Sequence, residues 1–585
     1  MIPKLKKVYD IFMILNKPIE LNSTFFLFFL ITGTFCIIFE PGFGHRFNAL
    51  FNLFLDLYIL CAFLACLPTK IRKAIRFILY IVLYGVALVD VTCYIRINSP
   101  ITPVFIQLVE QTNKQEATEA LSSYLSLSLL FSKLGILILI IIANIIVSRH
   151  KLNIPQSTPL SGAIILCAVT ICGFMSKTDI EYKYYRIVCQ YDEIKTQQTK
   201  DLIPKAYYYI PIHRLIYSIS ENVRLKHTIK ELANSVNKAS VTSCSHLSPN
   251  IVLIIGESLN RFHSSLYGYS YPTTPNQLTR EKKGELIKFK DAISSWNVTC
   301  ESFENMLSTW SEGEKGEWYT HPLFPELFRK AGYHVTFISN QYVQNPATSY
   351  SEFKEDIFLN NEKISNANFD KRNRNLHQYD EGLIEDFKML EKSKNKTPYN
   401  LTIFHFKGVH ANFKDRYPEK FKFFSIKDYA NRTDLQEKDK GILADYDNAI
   451  RYNDYVINKI ISLFEDSETI IVFLSDHGER VFDNTKEWGR NLTWNKNDII
   501  YQFCIPMWIW FSKSYKEKHK NIIKQTDNAA NKRYMTDNLP QLLLHIAGIK
   551  CKFYNPANDI LSPLYNENRK RIIRHEKDFD KIVGH

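Results

Sequence analysis

The stretch NIVLIIGES (250–258) is a continuous apolar run that ends in Gly-Glu-Ser. Such a run predicts a β-strand that is buried on both faces, as in a parallel sheet. Four later runs also predict strands: HVTFIS (334–339), LTIFHF (401–406), TIIVFLS (469–475) and PMWIWFS (506–512). Helical periodicity fills the intervals, most clearly in YDNAIRYNDYVINKIISLF (446–464) and MTDNLPQLLLHIAG (535–548). This alternation predicts an α/β domain with a mostly parallel sheet covered by helices.

Two of these strands are followed by residues that suit a metal ion. Glu257 follows the first strand, and Asp476 and His477 follow TIIVFLS. Because active sites in parallel sheets form at the carboxyl ends of strands, we expect the three side chains to meet at one edge. Their oxygen and nitrogen donors favour Zn²⁺, and Mn²⁺ less so. A strand-terminal Asp-His pair alone is more often structural, whereas the two motifs together favour a metal site.

A threonine in the segment DAISSWNVTCESFENMLS (291–308) is a candidate nucleophile. Thr299 stands just before a helix-like stretch, where a threonine usually serves only as a helix cap. Beside a divalent cation, however, its alkoxide is favoured, and helix N–H groups face the phosphate that it attacks. The spacing alone leaves both interpretations open.

The first 175 residues have the composition of a membrane region, and the remainder that of a soluble α/β protein. Five apolar stretches are each close to the ~20 residues that span a bilayer. They are residues 24–40, 49–66, 77–95, 125–147 and 160–175. A cleaved signal peptide is the alternative for the first stretch, but a long polar lead precedes it and further apolar stretches follow.

The distribution of basic residues predicts the orientation of this region. Lys and Arg crowd the N-terminus, the loop between the second and third stretches, and the segment after the fourth. The N-terminus is therefore expected in the cytoplasm, and five spans place the chain after residue 175 in the periplasm of a Gram-negative bacterium. Within the spans, Asp56, Asp90 and Lys133 are expected to pair mutually or snorkel; contact with a lipid ammonium is the alternative.

The predicted organisation has three parts. Residues 1–175 form a transmembrane domain of five helices, 176–249 an amphipathic interfacial linker, and 250–585 a periplasmic catalytic domain. The linker is predicted from tyrosines beside basic residues, as in KAYYYIPIHRLIYSI, which suit the lipid–water boundary. An ordinary solvated linker is the alternative.

Charge and cysteine content narrow the function classes. The net charge of +13 is not accompanied by a zinc-finger, RNP or helix-turn-helix pattern, so anionic lipid headgroups are better partners than nucleic acid. The 11 cysteines show no paired CxxC spacing typical of zinc sites. An odd number of them lies beyond the apolar segments, so at least one of these is expected to be free in an oxidising compartment.

Six motifs follow one another along the chain, and the last of them consists of two stretches. They are IGESLNRFHSSLYGYSYPTTP (255–275), VTCESFENMLS (298–308), HFKGVHANFKDRYP (405–418), YDNAIRYNDYV (446–456), SDHGERVFD (475–483), and GRN (489–491) followed by IPMWIW (505–510). This set resembles the phosphoethanolamine transferases of Gram-negative inner membranes, which belong to the alkaline phosphatase/sulfatase superfamily. The subgroup that modifies the lipopolysaccharide core is the most similar, and the resemblance covers nearly the whole chain.

The resemblance implies a five-span α-helical transmembrane domain followed by an alkaline-phosphatase-like (sulfatase-like) domain with one zinc ion or two. It implies that Glu257, Asp476 and His477 bind zinc, and that Thr299 is a nucleophile that also faces the metal. It further implies that four residues lie near the substrate: His405, His410, Asp380 and Arg490.

The chain departs from the family pattern at two places. Trp296-Asn297-Val298 replaces the small or Pro-Tyr residues that commonly precede the nucleophile. Gly489-Arg490-Asn491 stands where the lipid A-modifying branch has a His-Gly pair. The second departure argues against lipid A as the acceptor and leaves a second metal site open.

The resemblance implies transfer of phosphoethanolamine from phosphatidylethanolamine to lipopolysaccharide, at its core or lipid A, or to another envelope glycan, through a covalent intermediate on Thr299. The enzyme alternatives are a phosphoglycerol transferase and a membrane-anchored phosphodiesterase of the same superfamily. A non-enzyme alternative is an envelope sensor that retains the fold. A true sulfatase is disfavoured, because Cys300-Glu301-Ser302 does not match the Cys-x-Pro-x-Arg pattern of that family.

Overall fold

Helices form the N-terminal part of the chain, and a large β-sheet organises the C-terminal part. The computed structural model describes residues 2–38, 46–97, 101, 106, 131–149, 210–236, 238–341, 356–392, 397–484, 486–490 and 494–584. The chain divides into two compact units: Met1–Lys226 lies in the first, and the described residues from His227 onward lie in the second.

The described residues before residue 237 are mainly helical. The helices are α1 (Ile2–Leu21), α2 (Ser23–Ile38), α3 (Arg46–Cys66), α4 (Thr69–Ile97), α5 (Lys133–Arg149) and α6 (Pro211–Val236). Phe25, Phe29 and Leu53 are almost fully buried between α2 and α3. The apolar pattern of the sequence therefore forms helices that pack against each other.

The helices of the first unit differ in how well they match a membrane span. Over the described residues, Thr69–Ile95 of α4 alone is long and apolar enough to cross a bilayer as one helix. Met13–Leu21 and α2 pass the same test together, but they are bent by 79°. Asn52–Cys66 of α3 and Lys133–Ser148 of α5 are apolar but shorter. The predicted span 160–175 lies outside the described residues, so the count of five stays a prediction.

Two of the predicted intramembrane charges pair with the beginning of α6. The Arg214 guanidinium donates from Nε to Asp90 Oδ1 at 3.1 Å and from Nη2 to Asp90 Oδ2 at 2.6 Å. Both side chains are buried, and each neutralises the charge of the other. Either charge would be costly at this place without its partner. Asp56 Oδ2 lies 3.3 Å from His213 Nε2. The expectation that the three charges pair with one another is wrong for Asp90, because its partner is Arg214 of α6.

The second unit alternates strands and helices. Its strands are β1 (Ser243–Cys244), β2 (Asn250–Gly256), β3 (Leu286–Lys288), β4 (Asp291–Ile293), β5 (His334–Ser339), β6 (Lys371–Arg372), β7 (Asn400–His405), β8 (Thr469–Ser475), β9 (Met507–Phe511), β10 (Arg533–Met535), β11 (Ile549–Lys550), β12 (Ile572–Ile573) and β13 (Lys577–Asp578).

Its helices lie between these strands and after them. They are α7 (Pro275–Lys282), α8 (Thr299–Leu307), α9 (Phe324–Lys330), α10 (Asp356–Asn360), α11 (Glu362–Asn368), α12 (Gly382–Lys392), α13 (Glu437–Ser462), α14 (Lys496–Phe503), α15 (Lys513–Lys518), α16 (Lys520–Ala529), α17 (Leu539–Ala547) and α18 (Phe579–Val583).

The main sheet has seven strands in the order β3-β9-β8-β2-β7-β5-β6. Strands β8, β2, β7, β5 and β6 run parallel to one another, as expected from the alternation of strands and helices. Strand β9 is antiparallel to both β8 and β3. The PMWIWFS run is therefore a strand as predicted, but not a parallel one.

The continuous apolar run of β2 is explained by burial on both faces of the sheet. Leu253 and Ile255 belong to a core cluster on one face, and Val252 and Ile254 belong to a cluster on the other. Helix α17 contributes to the first cluster and helix α13 to the second. Covering helices on both sides leave the ends of the strands as the place where polar groups can gather.

The cysteines of this unit that the structure describes in full are Cys244, Cys504 and Cys551, and all three are free thiols. Cys504 is buried, and burial raises the pKa of its thiol to about 11. A disulfide among these three is thus absent from the described part of the unit.

Candidate metal-dependent active site

The register of the central strands brings the predicted site residues together. Gly256 at the end of β2 is paired with Ser475 at the end of β8, and Ile255 is paired with His405 of β7. The amide of Asp476 donates to Gly256 O at 3.0 Å. The residues that follow these strands therefore leave the sheet side by side, as predicted for the carboxyl ends of parallel strands.

Glu257, Asp476 and His477 form a compact group of potential metal ligands. One donor atom from each lies within 4.8 Å of the others, and all three residues are fully buried. His477 Nε2 lies 3.4 Å from Glu257 Oε1 and 3.3 Å from Asp476 Oδ2. The opposite ring nitrogen, Nδ1, lies 2.7 Å from Gly478 O, which favours a proton on Nδ1 and a lone pair on Nε2.

The electrostatics of this group fit a divalent cation. Asp476 Oδ2 is buried, and no hydrogen-bond donor among the described residues reaches it. Burial raises the pKa of Asp476 well above its ordinary range, and the neighbouring Glu257 carboxylate raises it further. Two buried carboxylates and one imidazole lone pair facing a common point match the ligand types of Zn²⁺. The residues present thus fit a zinc ion.

Ser258 ties the two carboxylates together. Its hydroxyl donates to Glu257 Oε1 at 2.6 Å, and its backbone N–H donates to Asp476 Oδ1 at 3.1 Å. To do both, Ser258 takes a left-handed backbone conformation with φ 59°. A non-glycine residue in this region is strained, and such strain is common at functional sites.

Thr299 is the first residue of α8, and its side chain faces the same group. Its Oγ1 donates to Glu257 Oε2 at 2.9 Å and lies 3.3 Å from His477 Nε2. The residue at the helix-cap position is Val298, so the interpretation of Thr299 as an ordinary cap is wrong. Only 8% of Thr299 is exposed. The hydroxyl is therefore held at the candidate metal ligands and at the N-terminus of a helix.

Known proteins share this arrangement of fold and sequence. The model of the Sulfatase family matches residues 249–549, which is more than half of the chain. The chain belongs to the sulfatase family. Phosphoethanolamine transferase EptC of Escherichia coli is 24% identical to it over 534 residues, which cover 89% of this chain and 87% of the relative. Phosphoethanolamine transferase EptA of Helicobacter pylori is 30% identical over 352 residues, covering 59% of this chain and 61% of the relative.

A solved structure supports the same fold across both units. The integral membrane protein lipooligosaccharide phosphoethanolamine transferase A (EptA) of Neisseria meningitidis is similar with a TM-score of 0.51 and 19% identity. The similarity covers 92% of this chain and 97% of that protein. At this level of identity, the similarity shows the fold alone.

Arg490 of this sulfatase-family chain reaches the predicted zinc ligands from a hairpin that follows β8. Its Nη1 lies 2.7 Å from His477 Nε2, and its Nε lies 3.4 Å from Glu479 Oε2. Burial raises the pKa of Glu479 to about 7. The predicted residue Arg490 is thus brought to the site, together with Glu479, which the sequence reasoning did not single out.

His405 lies beside the ligand group and is not open to solvent. It is fully buried, and its ring lies 4.3 Å from the Phe303 ring, centroid to centroid. Its Nδ1 lies 3.0 Å from Ser339 Oγ, and its Nε2 is 3.1 Å from the Gln341 amide nitrogen. Burial lowers the pKa of His405 to about 3, so the ring is neutral at ordinary pH. A direct contact with substrate stays a prediction.

Gln341 is a neighbour of Glu257 that the sequence reasoning missed. Its side-chain Nε2 donates to Glu257 Oε2 at 3.1 Å and to Phe406 O at 2.8 Å. The signal available was its position just after the β5 strand, whose end lies beside β7 in the sheet. Gln341 therefore connects the β5 and β2 strand ends around the candidate ligands.

Asp380 supports the loop that carries His410. Its Oδ1 accepts a hydrogen bond from Lys407 N and its Oδ2 one from Gly408 N, each at 2.8 Å. The Asn340 side chain donates to Oδ1 at 2.9 Å. Both carboxylate oxygens of Asp380 thus bind the protein itself, which is the pattern of a structural support. His410 is partly exposed and acts electrostatically on Glu257, so it lies near the ligand group.

Proposed function

We propose that this chain transfers phosphoethanolamine from phosphatidylethanolamine to lipopolysaccharide or another envelope glycan through a covalent intermediate on Thr299. The observation that carries the proposal is the 2.9 Å contact of Thr299 Oγ1 with Glu257, inside a buried group of two carboxylates and an imidazole. The similarity to a phosphoethanolamine transferase over 89% of the chain supports the nature of the transferred group.

We further propose that Glu257, Asp476, His477 and Thr299 hold zinc. A bound zinc ion lowers the pKa of a ligated hydroxyl and stabilises negative charge on phosphoryl oxygens. The unpartnered Asp476 Oδ2 and the direction of the His477 Nε2 lone pair support this proposal over a purely structural cluster. The number of zinc ions is left at one or two.

In the first step, Thr299 Oγ1 attacks the phosphorus of the lipid. The bond from Oγ1 to phosphorus forms while the bond from phosphorus to the glycerol oxygen breaks, and diacylglycerol leaves. Glu257 Oε2 is the acceptor that Oγ1 already faces, and the proton ends on the leaving glycerol oxygen. The guanidinium of Arg490 beside His477 offers positive charge to the phosphoryl oxygens.

In the second step, an oxygen of the acceptor attacks the same phosphorus from solution. The new bond forms while the bond to Thr299 Oγ1 breaks, and Oγ1 regains a proton. The backbone N–H groups at the beginning of α8 face the phosphate in both steps, because Thr299 is the first residue of that helix.

For the rest of the chain, we propose the arrangement expected from the sequence. Residues 1–175 form five membrane spans, 176–249 an interfacial linker, and 250–585 the catalytic domain on the periplasmic side of the inner membrane. Helices at four of the five predicted spans support this proposal, as does the fold shared with an integral membrane protein. The basic residues near the N-terminus support its cytoplasmic location.

Mass spectrometry of the full-length protein tests the function directly. After incubation with phosphatidylethanolamine and no acceptor, the peptide that contains Thr299 should carry phosphoethanolamine. Thr299→Ala should carry none and should lose transfer by about a thousandfold or more, because it lacks the proposed nucleophile. Thr299→Ser keeps a hydroxyl and should retain part of the adduct.

Folding is checked separately in this experiment. Thr299→Ala should remain folded and still bind zinc, since Glu257, Asp476 and His477 are left in place. A phosphoglycerol adduct on Thr299 would instead identify a phosphoglycerol transferase. Unchanged transfer by Thr299→Ala would remove the covalent mechanism.

A further inference from the structure

A tryptophan is held at the edge of the site by the hairpin that carries Arg490. Val481 and Trp488 form an antiparallel bridge in this hairpin. The amide of Gly489 donates to Arg480 O at 2.9 Å, next to that bridge. Backbone hydrogen bonds therefore fix Trp488 two residues before Arg490, whose Nη1 lies 2.7 Å from His477 Nε2.

The indole ring of Trp488 is supported on one side and open on another. It packs edge-on against Phe413, with ring centroids 5.4 Å apart and an interplanar angle of 64°. Phe413 is 3% exposed and packs in turn against Tyr446. Trp488 itself is 41% exposed. An aromatic ring that packs on a buried neighbour but stays partly open to solvent is typical of a ligand contact.

The position of Trp488 suits contact with one of the large substrates better than contact with the transferred phosphoethanolamine. The backbone of Trp488 lies at most about 7 Å from that of Arg490, because two extended residues cover no more than this. The ring therefore stands near the cationic Arg490 but does not belong to the group of candidate metal ligands. A phosphoethanolamine bound to Thr299 is short and stays close to that residue. A lipid or a glycan extends beyond it and reaches the rim of the site.

The neighbours of Trp488 favour a glycan over acyl chains. Lys486 and Glu487 precede the ring, are exposed, and carry opposite charges. Acyl chains need a continuous apolar patch, which these charges interrupt. A sugar ring has an apolar C–H face that matches an indole, and its hydroxyl or phosphate groups match the charged side chains around it. Arg490 adds positive charge suited to an anionic acceptor.

We propose that Trp488 forms the acceptor subsite, with its exposed indole face stacked on a sugar ring of an anionic glycan. This inference rests on the transferase activity proposed above and names a residue that binds its second substrate. Because the acceptor enters only after the Thr299 intermediate has formed, Trp488 contributes to the second step and not to the first.

The test measures the two steps separately in the full-length zinc-loaded protein. Adduct formation on Thr299 is followed with phosphatidylethanolamine vesicles alone, and transfer is then followed with purified lipopolysaccharide as the acceptor probe. Trp488→Ala should form the adduct within about twofold of the wild-type rate but raise the KM for lipopolysaccharide about tenfold. Trp488→Phe should recover most of the affinity, whereas Trp488→Leu, which is apolar but not flat, should not.

Phe423→Ala serves as the matched control, because Phe423 is an aromatic residue that is 57% exposed and lies outside this hairpin. It should change neither step. A wild-type KM in Trp488→Ala overturns the inference, as does full recovery by Trp488→Leu. An equal slowing of adduct formation would assign the ring to the lipid donor instead. Failure of the wild type to form any adduct overturns the proposed function, and this inference with it.

Discussion

Single residues that do not bind metal shape the candidate site, and Ser258 is the clearest case. Its hydroxyl and its amide hold Glu257 and Asp476, respectively, in a left-handed conformation. Ser258→Ala and Ser258→Gly both remove the hydroxyl, so both should lower zinc affinity by about 10–100-fold. Competition with a chromophoric chelator measures this affinity.

The same two variants distinguish the effect of the hydroxyl from the effect of the backbone strain. Glycine adopts φ 59° freely, so Ser258→Gly should be more stable than Ser258→Ala by about 1 kcal/mol. Thermal unfolding followed by tryptophan fluorescence measures the difference. Wild-type zinc affinity in both variants would show that the hydroxyl does not orient Glu257.

His263 supplies a pH-dependent contribution to stability. It is buried between Asp447, 2.8 Å from its Nδ1, and Asp483, 3.1 Å from its Nε2. Burial alone would lower its pKa, but Asp483 and Asp447 raise the pKa to about 10. Because the folded pKa lies above the ordinary value of 6.5, the contribution is complete below about pH 6.5 and is lost as pH rises through 10.

The comparison of wild type with His263→Gln tests this sign. The free energy of unfolding of the wild type should exceed that of His263→Gln by on the order of 3–5 kcal/mol below pH ~6.5. This difference should shrink steadily towards pH ~10. Denaturant unfolding across this range measures the difference. A difference that stays constant or grows with pH would show that the buried imidazole is not held as a cation.

The residues that sequence reasoning identified and those that it missed differ in a physical way. Glu257 and Asp476 follow continuous apolar strands, so their place at a sheet edge follows from the chain itself. Ser258 acts through a backbone conformation that its identity does not reveal. His405 lies on β7 two residues after Ile403, so the two-residue period of a strand directs it to the same buried face. The burial of His405 could therefore have been predicted from this two-residue period.

At the scale of elements, strand positions were predictable but strand direction was not. All five apolar runs named from the sequence are strands of the main sheet. Strand β9 is as apolar as β2 or β8, yet it is antiparallel to β8. Burial on both faces gives the same pattern in either direction, so direction depends on the path of the connection. The parallel strands β2 and β8 alone decide where the ligands meet.

A close approach between elements makes Gly478 sensitive to substitution. A Cβ atom there would lie 2.3 Å from Tyr501 O, which is backbone at the end of α14 and cannot turn away. Gly478→Ala should therefore cost about 1–3 kcal/mol and weaken zinc binding, because His477 is the preceding residue. Thermal unfolding and chelator competition measure the two effects.

Gly441 provides the matched control for this substitution. It lies inside α13, and a Cβ there would come no closer than 3.9 Å to Ile426. Gly441→Ala should stabilise the protein by up to about 1 kcal/mol, because alanine is the better helix former. Equal stability changes in Gly441→Ala and Gly478→Ala would contradict the role of the α14 contact.

At the scale of the whole molecule, tryptophan distribution allows the two units to be followed separately. All seven tryptophans lie between Trp296 and Trp510, in the second unit, whereas helices occur in both. Removal of zinc with a chelator should lower the unfolding temperature seen by tryptophan fluorescence. At a zinc concentration 100 times its dissociation constant, the stability lost is about 2.7 kcal/mol.

Circular dichroism provides the comparison for the first unit. Because helices occur in both units, only the part of the helical signal that comes from residues before 227 should melt at the same temperature with and without chelator, since the candidate ligands all follow residue 256. Zinc added back should restore the fluorescence transition. If the chelator leaves the unfolding temperature seen by fluorescence unchanged, the ligand group holds no metal that stabilises the fold.

The strand order of the main sheet also determines when the candidate ligands can come together as the chain is made. Ser258 and Asp476 interact although 218 residues separate them in the chain, because β2 and β8 are neighbours. Because a polypeptide is made from its N-terminal end, Glu257 emerges long before its partners. The candidate ligands can therefore bind a metal only after the chain has been made past residue 477, so a prematurely truncated product lacks a functional centre even when its first strands are intact.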